Sequence, residues 1–231
     1  HSDVVILCLG LDETLEGGQG DAGNADASGD KLDLQFPAPQ RRLMEAVLAC
    51  GRPVILCSMT GSAMDLSLAE KQAAAVLQLW YPGARGGKAA AEILFGRYSP
   101  SGKLPVTFYS PENKLPDIKD YSMKNRTYRY LENSPLYPFG YGLTYGNVAV
   151  TEAKIAQKNE DGSLILEIRA FNGGRSTDDV LQVYCRNEDS PFAPLHPSLA
   201  AFRRVHLEEG EEESFFLKSP PEAFLTVNQA G

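Results

Sequence analysis

The sequence predicts an α/β fold: a partial, doubly wound, mainly parallel sheet followed by a small all-β sandwich. Two apolar runs, VVILCLGL (4–11) and PVILCSM (53–59), are rich in β-branched residues and lack polar alternation. Parallel strands covered on both faces read this way. Helical patterns alternate with these runs as far as about Phe108, and after Asn147 helical periodicity gives way to short strands.

Taken in order, the first apolar run leads into an acidic, glycine-rich stretch. PAPQRRLMEAVLACG then fits a helix, with prolines at its start, Leu43, Val47 and Leu48 on one side, and Gly51 at its end. After the second run come a helical stretch near Leu68–Ala75, a short strand in AVLQLWY, and a third helix in GGKAAAEILFG. This β-α-β-α-β-α order belongs to open α/β sheets. From Pro100 to Tyr145 the chain turns to proline, glycine and tyrosine, too aromatic for disorder and too long for a bare linker. Packing against both neighbours is expected of it. The strands VAVTEAKIAQ, SLILEIRAFN, DDVLQVYCR, AAFRRVHL and ESFFLKS follow, separated by Asn/Gly/Glu turns. Leu164, Leu166, Ile168 and Ala170 share one face, as do Leu181, Val183 and Cys185, the spacing of a β-sandwich.

Composition narrows the function. The 231 residues carry a net charge of −8 with no basic stripe, which argues against nucleic acid as a partner. No apolar run reaches the roughly 20 residues of a membrane-spanning helix, so no membrane partner is expected. Cys8, Cys50, Cys57 and Cys185 show no CxxC spacing. Cys8, Cys57 and Cys185 lie in apolar strand-like runs and read as small buried hydrophobes, not metal or redox ligands. A reducing, cytoplasmic setting fits that usage.

The stretch LGLDETLEGGQGD (9–21) carries the chemistry. Ligands of open α/β sheets bind at the carboxyl ends of the strands, which is where this loop begins. Its Gly17, Gly18, Gly20 and Gly23 do not fall in a GxxxxGK[ST] pattern, and Asp12, Glu13, Glu16 and Asp21 would repel a phosphate. The D-x-[DN]-x-[DN]-G ligand pattern of a calcium loop is missing. CSMTG (57–61) is not a G-x-S-x-G nucleophile elbow. Carboxylate chemistry remains, set against a solvated acidic loop: a glutamate here can protonate a departing glycosidic oxygen and later deprotonate water.

The chain resembles the C-terminal part of glycoside hydrolase family 3, the retaining β-glucosidases and β-xylosidases, over nearly its whole length. WYPGARGG, GRYSPSGKLPVTFY and PLYPFGYGLTY carry the resemblance together with the opening loop. The resemblance implies two domains: residues 1–146, the family's α/β sandwich domain truncated at its N-terminal side, and 147–231, a fibronectin type III-like domain lacking its last strand. It implies a glycoside or oligosaccharide substrate, no cofactor and no metal. It also implies a nucleophilic aspartate on an N-terminal (β/α)8 barrel, missing here, so that this chain is an internal fragment, inactive alone. On the β-xylosidase-like form of the loop, Glu16 is the acid/base candidate and Glu13 the fallback. Burial beside a sugar and a second carboxylate is expected to raise the pKa of that acid. Gly18 and Gln19 stand where further acid is common, and Ala22 where arginine follows the aspartate. These departures favour the alternative, a non-catalytic carbohydrate-binding or structural module.

Other residues admit two readings each. Trp80 and Tyr81 form either a sugar platform or, more simply, packing between a strand end and a helix. Arg126 and Arg129 either reach substrate or clamp the segment to the barrel. Asn125-Arg126-Thr127 matches a glycosylation sequon by chance, and His196 and His206 read as surface residues.

Overall fold

The computed structural model describes residues 2–16, 31, 33–117 and 119–228. The chain is mixed α/β, with one parallel sheet and two antiparallel sheets. It divides into two units, the first holding His1–Ala91, Thr107–Lys114 and Asn133–Tyr137, the second Glu92–Val106, Leu115–Glu132 and Pro138–Gly231. The proline- and tyrosine-rich segment thus contributes residues to both.

The first unit is built on β1 (Val5–Gly10), α1 (Glu13–Glu16), α2 (Ala38–Leu48), β2 (Val54–Met59), α3 (Ser67–Gln72) and β3 (Ala75–Gln78). The strands pair in parallel in the order β1-β2-β3, with Cys8 opposite Cys57 and Ser58 opposite Gln78. One face buries Leu7, Leu9, Val54 and Leu56, and the same core takes in Met44 of α2 and Ala69 of α3. Burying each of these leucine, valine and methionine side chains stabilises the fold by about 1.5–3 kcal/mol.

Two expectations change here. The inner stripe of α2 is Gln40, Met44, Val47 and Leu48, whereas Leu43 is 48% exposed. Gln40 belongs to the stripe because its amide bonds both backbone groups of Gly10, accepting from N at 3.1 Å and donating to O at 2.7 Å. A period of 3.6 counted on apolar residues alone misses a glutamine placed there. Along β1, Leu7 and Leu9 are buried but Ile6 and Cys8 are exposed. Among the described residues the second face of this edge strand is uncovered, so Cys8 is not the buried hydrophobe its apolar run suggested. Cys57, one strand further in, is buried, and that burial, with Cys8 beside it, pushes its thiol up to about 11.

A 3-10 turn, Gly83–Arg85, leads into α4 (Gly86–Leu94). A side chain at Gly86 would place its Cβ 2.3 Å from the Pro82 ring, so the WYPG corner requires glycine four residues on. In the second unit, α5 (Thr127–Tyr130) precedes β4 (Val148–Lys158), β5 (Leu164–Asn172), β6 (Thr177–Cys185), β7 (Ser198–Leu207) and β8 (Glu212–Ser219). The sheets run antiparallel in the orders β4-β5-β8 and β6-β7. Between them lie Ile168, Ala170, Leu181, Val205, Leu207, Phe215 and Leu217. The Leu164–Ala170 and Leu181–Cys185 faces read from the sequence supply three of these seven.

Candidate functional site

The site is assembled at the carboxyl ends of the parallel strands. Leu11 N donates to Met59 O at 3.0 Å, carrying the β1–β2 ladder one residue past the end of β1. Asp12 then stops the strand and starts α1: its Oδ1 accepts from the backbone N–H groups of Thr14 (3.1 Å) and Leu15 (3.0 Å) and from the Thr14 hydroxyl (2.7 Å). An aspartate at this position satisfies the free N–H groups of a helix start. One turn later, Glu16 points back at the loop after β2.

Four donors meet that carboxylate. Oε1 accepts from Gly61 N at 2.7 Å and from the Tyr81 hydroxyl at 3.1 Å. Oε2 accepts from the Ser62 hydroxyl at 2.7 Å and lies 3.5 Å from Lys31 Nζ. Lys31 in turn bonds Ser62 Oγ and approaches Met64 Sδ at 3.1 Å. The side chains of Glu16 and Lys31 are 16% and 15% exposed. Burial pushes the Glu16 carboxyl up, but the bonds from Ser62 and Gly61, the Lys31 charge and the Tyr81 bond together outweigh it. The result lies below the ordinary glutamate value, opposite to the raised pKa expected of a waiting acid. The expectation counted burial and a second carboxylate. It did not count a ring of donors supplied by Lys31 and by the segments after β2 and β3.

The supporting loop is itself braced. Thr60, fully buried, donates to Ser62 O at 2.8 Å, and Gln78 Nε2 reaches Thr60 O at 3.2 Å and Oγ1 at 3.1 Å. Gly61 leaves room for its neighbours: a Cβ there would lie 2.7 Å from the Tyr81 ring and 3.5 Å from Glu16 Oε1.

Glu13, the fallback, is exposed on the first turn of α1, and no described side chain bonds it. Gly17, Gly18, Gln19, Gly20, Asp21, Ala22 and Gly23 lie outside the described residues. Lys31, Ser62 and Tyr81 were missed as partners of Glu16, although Thr60-Gly61-Ser62 after a parallel strand marks the same sheet edge that drew attention to the acidic loop. In the second unit Arg126 Nη2 donates to Asp117 O at 2.6 Å, and the Arg129 guanidinium sits 5.7 Å from the Tyr130 ring centre. Asn125 Oδ1 accepts from Glu132 N at 3.2 Å. His196 and His206 are both exposed. Among the described residues no group of three or more His, Cys, Asp or Glu side chains is placed to hold a metal ion.

Residues 1–145 match the glycosyl hydrolase family 3 C-terminal domain. The chain belongs to this family. This family 3 chain is 39% identical over 221 residues to a xylan 1,4-beta-xylosidase of Xylanibacter ruminicola, across 95% of its own length and 25% of that protein. It is 30% identical to a periplasmic beta-glucosidase of Salmonella typhimurium, across 99% of its own length and 31% of that protein. The fold of the beta-D-glucoside glucohydrolase from Trichoderma reesei superposes with a TM-score of 0.84 at 23% identity, covering 99% of the family 3 chain and 36% of that structure. The chain therefore spans about a quarter to a third of the length of the curated relatives it matches.

Proposed function

We propose that this chain is the C-terminal part of a retaining β-glycosidase acting on terminal β-linked glucose or xylose, and that it supplies the acid/base side of the cleft through Glu16. The observation that carries the reading is the Glu16 carboxylate, brought by a capped turn to the carboxyl edge of a parallel sheet, where open α/β sheets bind ligands. Membership of family 3 supports it. The nucleophile is assigned to the (β/α)8 barrel that the resemblance implies, and the boundary between the α/β domain and a fibronectin type III-like domain is placed after Gly146. In this scheme Glu16 protonates the leaving oxygen, then accepts a proton from the water that attacks the glycosyl-enzyme. Held ionised by its four neighbours, the carboxylate is ready for the second task. The first requires a bound sugar to displace donors and raise its proton affinity.

A second reading, a non-catalytic module in which Glu16 only braces the loop, rests on the same saturation of the carboxylate. The two part on one experiment in the complete protein containing this chain. Glu16→Ala and Glu13→Ala are compared on dinitrophenyl and simple alkyl glycosides, with and without azide. The catalytic reading expects Glu16→Ala to lose about 10²–10⁴-fold on alkyl glycosides, much less on dinitrophenyl ones, with azide restoring turnover. Rescue confined to Glu13→Ala moves the role to Glu13. Uniform loss without azide rescue in either variant supports the bracing role.

A further inference from the structure

The WYPG corner (80–83) holds a second device. Trp80 has a φ of 55°, the left-handed region that bulky residues avoid. Its half-buried ring packs edge-on against the fully buried Phe108 with centroids 6.2 Å apart. Leu79 N just before it is held by Ser58 O at 2.8 Å, so the strand cannot rotate to relieve the turn. Such conformations are strained and persist where surrounding structure over-determines them. The consequence of this one is the direction of the next side chain. Tyr81, 53% exposed, is carried across to Gly61, and its hydroxyl reaches Glu16 Oε1. Only a residue without Cβ at position 61 leaves space for the ring.

We propose that Tyr81 is a positioning residue: its hydroxyl, aimed by the left-handed backbone of Trp80, fixes the Glu16 carboxylate at the sheet edge. In its relation to hydrolysis this rests on the reading of Glu16 as acid/base; the lock itself stands on geometry. A simple packing role for Tyr81 needs the ring and not the oxygen. The bond is reciprocal, since burial and the Glu16 bond hold the Tyr81 phenol above its ordinary value while Glu16 is held low. Charged and titratable groups facing the pair are Lys31, on Glu16 Oε2, and Asp12, whose negative charge acts on Tyr81.

The test reads the Glu16 carboxyl directly. The chain is labelled with carbon-13 at glutamate side-chain carboxyls, the Glu16 resonance is identified by its loss in Glu16→Gln, and the wild type is titrated by NMR beside Tyr81→Phe, Gly61→Ala and Tyr98→Phe. Tyr81→Phe keeps the ring and removes the oxygen, so proton affinity at Glu16 is expected to rise by about threefold to tenfold, half to one pH unit. Gly61→Ala, which pushes the ring aside, is expected to move it the same way. Tyr98→Phe, at a tyrosine 65% exposed and named among neither group's partners, is expected to leave it unmoved. An unchanged midpoint in Tyr81→Phe overturns the proposal, and so does a change in Gly61→Ala alone, which would assign the effect to the Gly61 amide. The outcome is independent of turnover. If the midpoint moves but Glu16→Ala in the complete protein shows no leaving-group dependence, the lock stands and the acid/base reading falls. If both hold, Tyr81→Phe in the complete protein shifts the Glu16-controlled limb of the pH profile by the same interval.

Discussion

At the scale of single residues, Glu16 shows how a carboxylate's surroundings decide its state. Burial alone would favour the neutral acid, yet two side-chain hydroxyls, an amide and an ammonium group all favour the anion, and the anion prevails. The consequence for stability has a definite sign. A carboxyl whose folded pKa lies below its ordinary 4.5 adds stability that is fully present above that value and lost as pH falls through the folded one. Denaturant unfolding of wild type and Glu16→Gln is therefore expected to show wild type ahead at neutral pH, with the gap closing as the pH drops below the ordinary glutamate range. A gap that stays constant to the acid limit would mean the carboxylate is not held ionised. His206 provides the opposite sign on β7. Its Nδ1 lies 2.8 Å from Asp178 Oδ1 and its Nε2 3.3 Å from Glu208 Oε1, and these two partners raise its pKa. Its contribution is full below the ordinary histidine value and fades as pH rises through the raised one.

At the scale of elements, hydrophobic texture located the eight strands of the described residues, because uncharged β-branched runs and period-2 alternation leave few other options. Boundaries moved where a polar side chain took over a backbone's task. Asn172 is the clearest case: it reads as the first residue of an Asn-Gly-Gly turn, yet it is fully buried at the end of β5. Its Nδ2 donates to the carbonyls of Arg175 (2.8 Å), Leu207 (3.0 Å) and Glu208 (3.2 Å), and its Oδ1 accepts from Asn147 N (2.9 Å) and Gly174 N (3.0 Å). One side chain thus ties the start of β4 to the ends of β5 and β7. Asn172→Ala leaves several of those backbone groups buried without partners, at about 1–3 kcal/mol for an unsatisfied group. A loss of about 3 kcal/mol is expected, measured by urea unfolding, with the m-value unchanged. The same blindness hid the surroundings of the candidate Glu16: the acidic loop drew attention to it, but Ser62, Tyr81 and Lys31 lie 46, 65 and 15 positions away in sequence, beyond the reach of any local pattern. Periodicity reports which residues avoid water; it does not report which distant oxygen a hydroxyl will find.

At the scale of the whole molecule, the chemistry proposed for Glu16 needs something that its surroundings here do not offer. Retaining hydrolysis places two carboxyl groups about 5–5.5 Å apart across the scissile bond, one as acid/base and one as nucleophile. Every described group bonded to Glu16 is a donor: an amide, two hydroxyls and an ammonium. The nearest carboxyl in sequence that has a defined task, Asp12, is committed to the start of α1 through three bonds. Family 3 membership and coverage of only 25% and 31% of two relatives leave ample chain for the second carboxyl elsewhere. The isolated 231-residue chain is accordingly expected to leave aryl β-glucosides and β-xylosides uncleaved above background. Good leaving groups make this a demanding test, since they depart without acid help and report the nucleophile alone. Activity is expected to return when the chain is produced as part of the longer protein, and to vanish again when the aspartate proposed as nucleophile is replaced. Turnover by the isolated chain that persists through repeated purification, and that Glu16→Ala abolishes, would place both carboxyl groups within these residues and end the split-site account.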